Sequence, residues 1–190
     1  MSTHTQPVMT VADLELMPDD LNRYELMEGE IFVSPPPGLT HQDALGNLLC
    51  ILHDFLIKNS FGKVFTTPGV TLDQFNSVIP DIIYLSHARL AEIALGEYIT
   101  GAPELMIEVV SPGSKNARRD RVLKRQTYAK YGVQEYWIVD PLKRSVEIYR
   151  LRENSLELFV TLLDEDQITT SLLPGLAIPA NTLFDTQDEE

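Results

Sequence analysis

Apolar positions recur along the chain with two different periods, and the changes of period mark out the elements. Over residues 40–59, Leu45, Leu48, Leu49, Leu52, Phe55 and Leu56 fall at i, i+3, i+4 and i+7, the stripe of an amphipathic helix. Asn59-Ser60-Phe61-Gly62 closes it. Before it, alternation over 24–34 with Glu28-Gly29 in the middle predicts a hairpin, ended by Pro35-Pro36-Pro37-Gly38. A short helix over 11–17 has Thr10 as its cap and Asp13 as a capping-box acid. Strands are predicted over 63–67, 69–73, 78–85, 104–110 and 135–140, with a helix begun by Ser86 and running to residue 93. A basic helix spans 115–131 and stops at Gly132. A second hairpin (145–151 and 156–162), a strand near 167–170 and a tail to residue 184 complete the series.

Strands interleaved with two principal helices give an α/β fold built on a mixed sheet. Its domain is expected over 10–185, after an extended or disordered tail (1–9) and before an acidic tail (186–190). The length of 190 residues suits one domain, and 44% hydrophobic with 23% charged residues is ordinary globular composition. Cys50 is the single cysteine, so an intrachain disulfide and a cysteine-rich zinc site are excluded. No apolar run has the length of a membrane span, and residues 1–7 lack a signal-like apolar core; a cytoplasmic protein is expected. The net charge of −13 argues against a protein that coats nucleic acid or an anionic membrane.

The charge is unevenly placed. Residues 115–130 hold Lys115, Arg118, Arg119, Arg121, Lys124, Arg125 and Lys130 against Asp120 alone, so this segment is +6 and the remainder −19. Asp120, Lys124 and Tyr128 recur at i, i+4 and i+8, one helix face. Such a run is either a solvated face or a grip for phosphates, with Arg118, Arg119, Arg121 and Arg125 as the candidates.

Two acids interrupt strands that are otherwise apolar on both faces, a pattern of central strands. Asp81 shares parity with Ile79, Ile83 and Leu85; Glu108 shares parity with Met106 and Val110. A buried carboxylate costs several kcal/mol, of the order of ~3–5, unless it is paired. Either each acid meets an arginine or water, or a divalent cation joins them. Mg²⁺ suits the second alternative, because it takes one or two carboxylates together with water and phosphate oxygens. His41 opens the long helix on its covered side. Glu25 and Glu30 lie on opposite parities of the first hairpin, and either would supply a third carboxylate. Trp137 reads as core. A Walker-type phosphate loop, a nucleophile elbow and a dinucleotide fingerprint are all absent from the sequence.

The motifs occur in a recognisable series: Tyr24-Glu25-Leu26-Met27-Glu28-Gly29-Glu30, Ser34-Pro35-Pro36 with His41-Gln42, Pro80-Asp81, Glu108-Val109-Val110-Ser111-Pro112, Asp120 through Lys124, and Gly132 through Pro141. Across residues 10–185 this resembles the Uma-type restriction endonuclease family, long catalogued as a domain of unknown function, within the PD-(D/E)XK nuclease superfamily. The resemblance implies a restriction-endonuclease-like αβββαβ core with flanking helices and extra hairpins. It also implies Mg²⁺-dependent hydrolysis of DNA phosphodiester bonds, with Mn²⁺ as a substitute. Asp81 matches the motif aspartate and Glu108 the acid two residues before the usual lysine, where Val110 stands instead. Lys124 matches the lysine that some members place on the next helix. Glu30 or Glu25 matches the early acid, and His41 the histidine after the proline run.

Asp81 and Glu108, with the Val109 carbonyl, are thus the expected metal ligands. Lys124 supports developing charge, Tyr128 or His41 positions it, and a homodimer follows by superfamily analogy. Two rivals stand beside this expectation. One is an inactive module of the same fold that binds nucleic acid or a protein; the other is a hydrolase of a different phosphate ester.

Overall fold

The structure is a computed structural model and describes residues 8–111 and 119–184. Helix α1 (Val11–Leu14) opens the described chain, and its Thr10 cap bonds the Asp13 carboxylate through both N–H and hydroxyl. It is shorter than the predicted 11–17. Strands β1 (Arg23–Met27) and β2 (Glu30–Ser34) form the expected hairpin, with Glu28 and Gly29 at φ 50° and 75° in the turn. Helix α2 (Leu39–Asn59) starts at Gly38 and ends at Ser60 in the left-handed region. Strands β3 (Gly62–Thr66), β4 (Val70–Asp73), β5 (Asn76–Val78) and β6 (Ile82–Ser86) follow. Then come α3 (His87–Ile93), β7 (Ala94–Leu95), β8 (Tyr98–Thr100) and β9 (Leu105–Val109). A π-helical turn (Arg119–Lys124) runs into α4 (Arg125–Lys130), ahead of β10 (Glu135–Asp140), β11 (Ser145–Arg152) and β12 (Ser155–Leu163). Short strands β13 (Gln167–Ile168) and β14 (Ile178–Pro179) pair before a 3₁₀ turn (Ala180–Leu183).

The main sheet has the order β12-β11-β10-β9-β6-β3. Reading α2, β3, β6, β9, α4 and β10 along it gives the expected αβββαβ core. Strands β9 and β10 are parallel and joined through α4, the crossover a parallel pair requires. A second six-stranded sheet, β2-β1-β5-β4-β8-β7, accompanies it. Ile82, Tyr84, Leu105, Ile107 and Val109 pack with the α2 leucines and the segment from Ile168 to Phe184. The alternate residues Ile83, Leu85, Met106 and Val110 pack with Met27, Val70 and Val78 of the second sheet and with Tyr128 and Ala129 of α4. The main sheet is therefore covered on both faces, which is why its strands are apolar throughout. Each fully buried α2 leucine, such as Leu48 and Leu52, contributes roughly 1.5–3 kcal/mol to that packing.

The predicted strand 78–85 is divided in two. Strand β5 ends at Val78 in the second sheet, and β6 begins at Ile82 in the main one. Pro80 has no N–H to give to a ladder, so the chain changes sheets there. The predicted helix over 115–131 is also not uniform in its described part, because the turn ahead of Arg125 is π-helical. Gly62 lets β3 run against β6: a Cβ there would lie 2.1 Å from the Leu85 carbonyl oxygen.

Candidate active site

Asp81 stands just ahead of β6, in the link between the two sheets. In the antiparallel pairing of β6 with β9, Ile82 faces Ile107. One step further along the same register, Asp81 comes opposite Glu108, so the two carboxylates are cross-strand neighbours at one end of the pair. Asp81 Oδ2 accepts the Val109 N–H at 2.8 Å, extending the ladder with a side chain where a backbone carbonyl would stand. Its Oδ1 accepts from Arg23 Nη1 at 2.9 Å and lies 3.2 Å from His41 Nε2. Burial pushes the Asp81 carboxyl up, but His41, the Val109 N–H and Arg23 together outweigh it and hold the group below the ordinary aspartate range. His41, in the first turn of α2, has its Nδ1 3.3 Å from the Ser111 hydroxyl.

Glu108 lines the same cleft. Its Oε1 accepts from Lys124 Nζ at 2.8 Å and from the Tyr128 hydroxyl at 2.8 Å. These donors are four residues apart and share one face of the helical segment, as their spacing predicts. Lys124 Nζ also lies 3.0 Å from Glu25 Oε1, which accepts the Ile79 N–H at 2.9 Å. Burial and the Glu108 charge push the Tyr128 hydroxyl well above its ordinary value, so it remains a donor. Arg23, Glu25, His41, Asp81, Glu108, Val109, Ser111 and Lys124 line one cleft of about 250 Å³, rimmed by Ser34, Pro35, Pro36, Pro37 and Gly38.

Of the two candidate hairpin acids, Glu25 reaches the cleft and Glu30 does not. Glu25 is buried on the face of β1 that meets the main sheet, whereas Glu30 is exposed where the hairpin leaves its turn. Arg121 is also placed otherwise than the sequence suggests. Its guanidinium bonds Asp140 at 2.8 Å and also Glu147, so its charge is taken up by β10 and β11 and not held out to a phosphate. Arg125 is half-buried, 5.2 Å over the Tyr149 ring. Arg118 and the side chain of Arg119 lie outside the described residues. Trp137 is core, its indole N–H on Glu135 Oε1 at 2.7 Å. Arg23 and Ser111 escaped the sequence reading. Arg23 carries one signal: it is the only basic residue among the first 57.

Among the described residues that line the cleft, three carboxylates (Glu25, Asp81, Glu108) stand against two permanent cations (Arg23, Lys124), an excess of negative charge. Hard oxygen donors with that excess fit a divalent cation of the Mg²⁺ type. Among the described residues no three of His, Cys, Asp and Glu gather into a ligand cage. A cation here would therefore rest on Asp81, Glu108 and the Val109 carbonyl, with water and phosphate oxygens completing its shell.

A family model described as Uma2, "Putative restriction endonuclease", matches residues 11–181. Among solved structures, a protein from Anabaena variabilis ATCC 29413, described as "a putative nuclease belonging to DUF820", superposes with a TM-score of 0.75 at 20% sequence identity. The match covers 92% of this chain and 97% of that one, and shows a shared fold. No curated protein matches the sequence.

Proposed function

This chain belongs to the Uma2 family, and from that membership and the chemistry of the cleft we propose that it is a metal-dependent endonuclease that hydrolyses DNA phosphodiester bonds. The observation that carries the reading is the opposition of Asp81 and Glu108 across β6 and β9, with Lys124 bonded to Glu108 from the following helix. On this reading the role of the lysine that Val110 replaces on the strand falls to Lys124, whose ammonium bonds the Glu108 carboxylate.

When bound, a divalent cation would supply the Lewis acidity that polarises a phosphate and acidifies a water. The chain's own residues do the rest. Asp81 and Glu108 hold their oxygens toward the cleft, and His41 and the Val109 N–H fix the orientation of Asp81. Lys124 sits where charge develops on the phosphoryl group and supports it. Tyr128, kept protonated by burial, fixes the Glu108 carboxylate. Glu25 fixes the ammonium of Lys124. The proline rim keeps the mouth rigid. A homodimer, offering one cleft to each strand of a duplex, belongs to the same reading.

Purified protein incubated with plasmid DNA and Mg²⁺ or Mn²⁺ tests it. Nicking or linearisation is expected, with loss of at least about a hundredfold for Glu108→Gln. Equal cleavage by the two proteins would sink the assignment. One observation favours a second reading, an inactive module on the same fold: Asp81 and Glu108 each already touch a cationic side chain. On that reading Mg²⁺ added to the protein gives no calorimetric signal that Asp81→Asn removes.

A further inference from the structure

Arg23 has a place in the cleft that the proposed chemistry leaves unused. Of the cations that line it, Lys124 is 2% exposed and bonded to Glu25 and Glu108, whereas Arg23 is 25% exposed. Among the described residues Arg23 bonds Asp81 alone, and through a single guanidinium nitrogen, Nη1. A guanidinium has five N–H donors arranged in a planar fork, and a carboxylate that takes one of them leaves the other edge directed elsewhere. Arg23 begins β1, at the cleft's mouth beside Ser34 and the three prolines. The remaining described basic side chains of the helical segment serve other groups: Arg121 serves Asp140 and Glu147, and Arg125 lies on Tyr149.

We propose that Arg23 is the substrate-phosphate clamp of this cleft: one edge of its guanidinium stays on Asp81 while the other takes the phosphate oxygens of the entering strand. The inference rests on the nuclease reading for its substrate class. The ion pair with Asp81 orients the fork before substrate arrives, so little of the arginine's rotamer freedom remains to be lost on binding. It also couples the two tasks, since the residue that carries the motif carboxylate is the one that aims the clamp. The chain outside residues 115–130 carries −19, so a cation in the cleft favours the entry of a phosphate there.

The test uses the full chain, a labelled DNA duplex, and Ca²⁺ in place of Mg²⁺ so that binding is read without cleavage. Arg23→Ala is expected to weaken binding about tenfold or more and to lower the salt slope of log K by about one, with Arg23→Lys recovering part of the affinity. With Mn²⁺ and bis(p-nitrophenyl) phosphate, the same Arg23→Ala change should raise KM about tenfold, and Arg23→Lys should recover part of that rise. Unchanged duplex affinity and salt slope in Arg23→Ala, with only a lower melting temperature, would reduce Arg23 to the counter-ion of Asp81 and overturn the proposal. A wild type that binds the duplex through Arg23 but never cuts with Mg²⁺ or Mn²⁺ overturns the nuclease reading and leaves the clamp standing. A wild type that binds no duplex overturns both.

Discussion

Replacing Lys124 by Met tests the electrostatic centre of the cleft directly. The ammonium lies 3.0 Å from Glu25 and 2.8 Å from Glu108, and all three side chains are at most 5% exposed. Methionine keeps most of the volume and removes the charge, so the effect is electrostatic and not a cavity. Taking one partner from a buried ion pair costs about 3–5 kcal/mol, because the other charge is left in a medium that cannot solvate it. Glu25 and Glu108 both lose the contact with the ammonium, which places the expected loss within that range. In a chain of 190 residues this lowers the melting temperature by roughly 6–20 °C. Urea unfolding with fluorescence detection gives the free energy, and an unchanged m-value confirms that the denatured state is the same.

One control makes the cause visible. The double variant Lys124→Met with Glu108→Gln removes one of the two carboxylate charges that face the ammonium and should recover to within about 1–2 kcal/mol of wild type, a coupling that only neighbours show. If Lys124→Met costs less than about 1 kcal/mol at pH 7, or the double variant is no more stable than the single one, the buried three-group cluster is not what holds this corner together.

Asp81 sets an acid limit. Its carboxyl is held below the unfolded value, so its contribution is fully present above about pH 4 and is lost as the pH falls through the depressed folded value. The pH dependence of melting in wild type should therefore steepen below that point, and Asp81→Asn should flatten it. Arg121→Gln takes a half-buried guanidinium away from its two carboxylate partners, Asp140 and Glu147, and should cost about 1–3 kcal/mol in urea unfolding. DNA affinity measured by anisotropy should stay unchanged in that variant. Glu30→Gln is expected to leave plasmid cleavage at the wild-type rate, whereas Glu25→Gln reduces it, because only Glu25 reaches Lys124; the reverse order would reinstate Glu30.

Periodicity made most of the main sheet legible, along with α2 and both hairpins, because each has enough residues to show its period. Among the strands of two or three residues, β7, β8 and β14 are too short to carry one. The sheet change at Pro80 is hidden for another reason: the residues on either side are apolar because both sheets bury them, and hydropathy does not record which sheet does so. The pairing of Asp81 with Glu108 was readable from two acids in central strands. The choice of Glu25 over Glu30 was not, since both parities of that hairpin carry apolar residues and the outcome depends on which face meets the main sheet. Arg121 misled through its neighbours in sequence. Its true partners, Asp140 and Glu147, come from strands that fold onto it from beyond α4. Arg23 was missed because its importance lies in a contact 58 residues away.

The corner where the chain passes between sheets has a consequence for the order of events in folding. Arg23 and Glu25 come from one sheet, Glu108 from the other, Lys124 from the crossover, and Asp81 from the link itself. None of these contacts is local, so loop-closure entropy must be met several times before the cleft exists. On the ribosome, β1 and α2 emerge and wait, and the cluster closes only after Lys124 has cleared the exit. The cleft is thus completed late, as a property of the docked sheets.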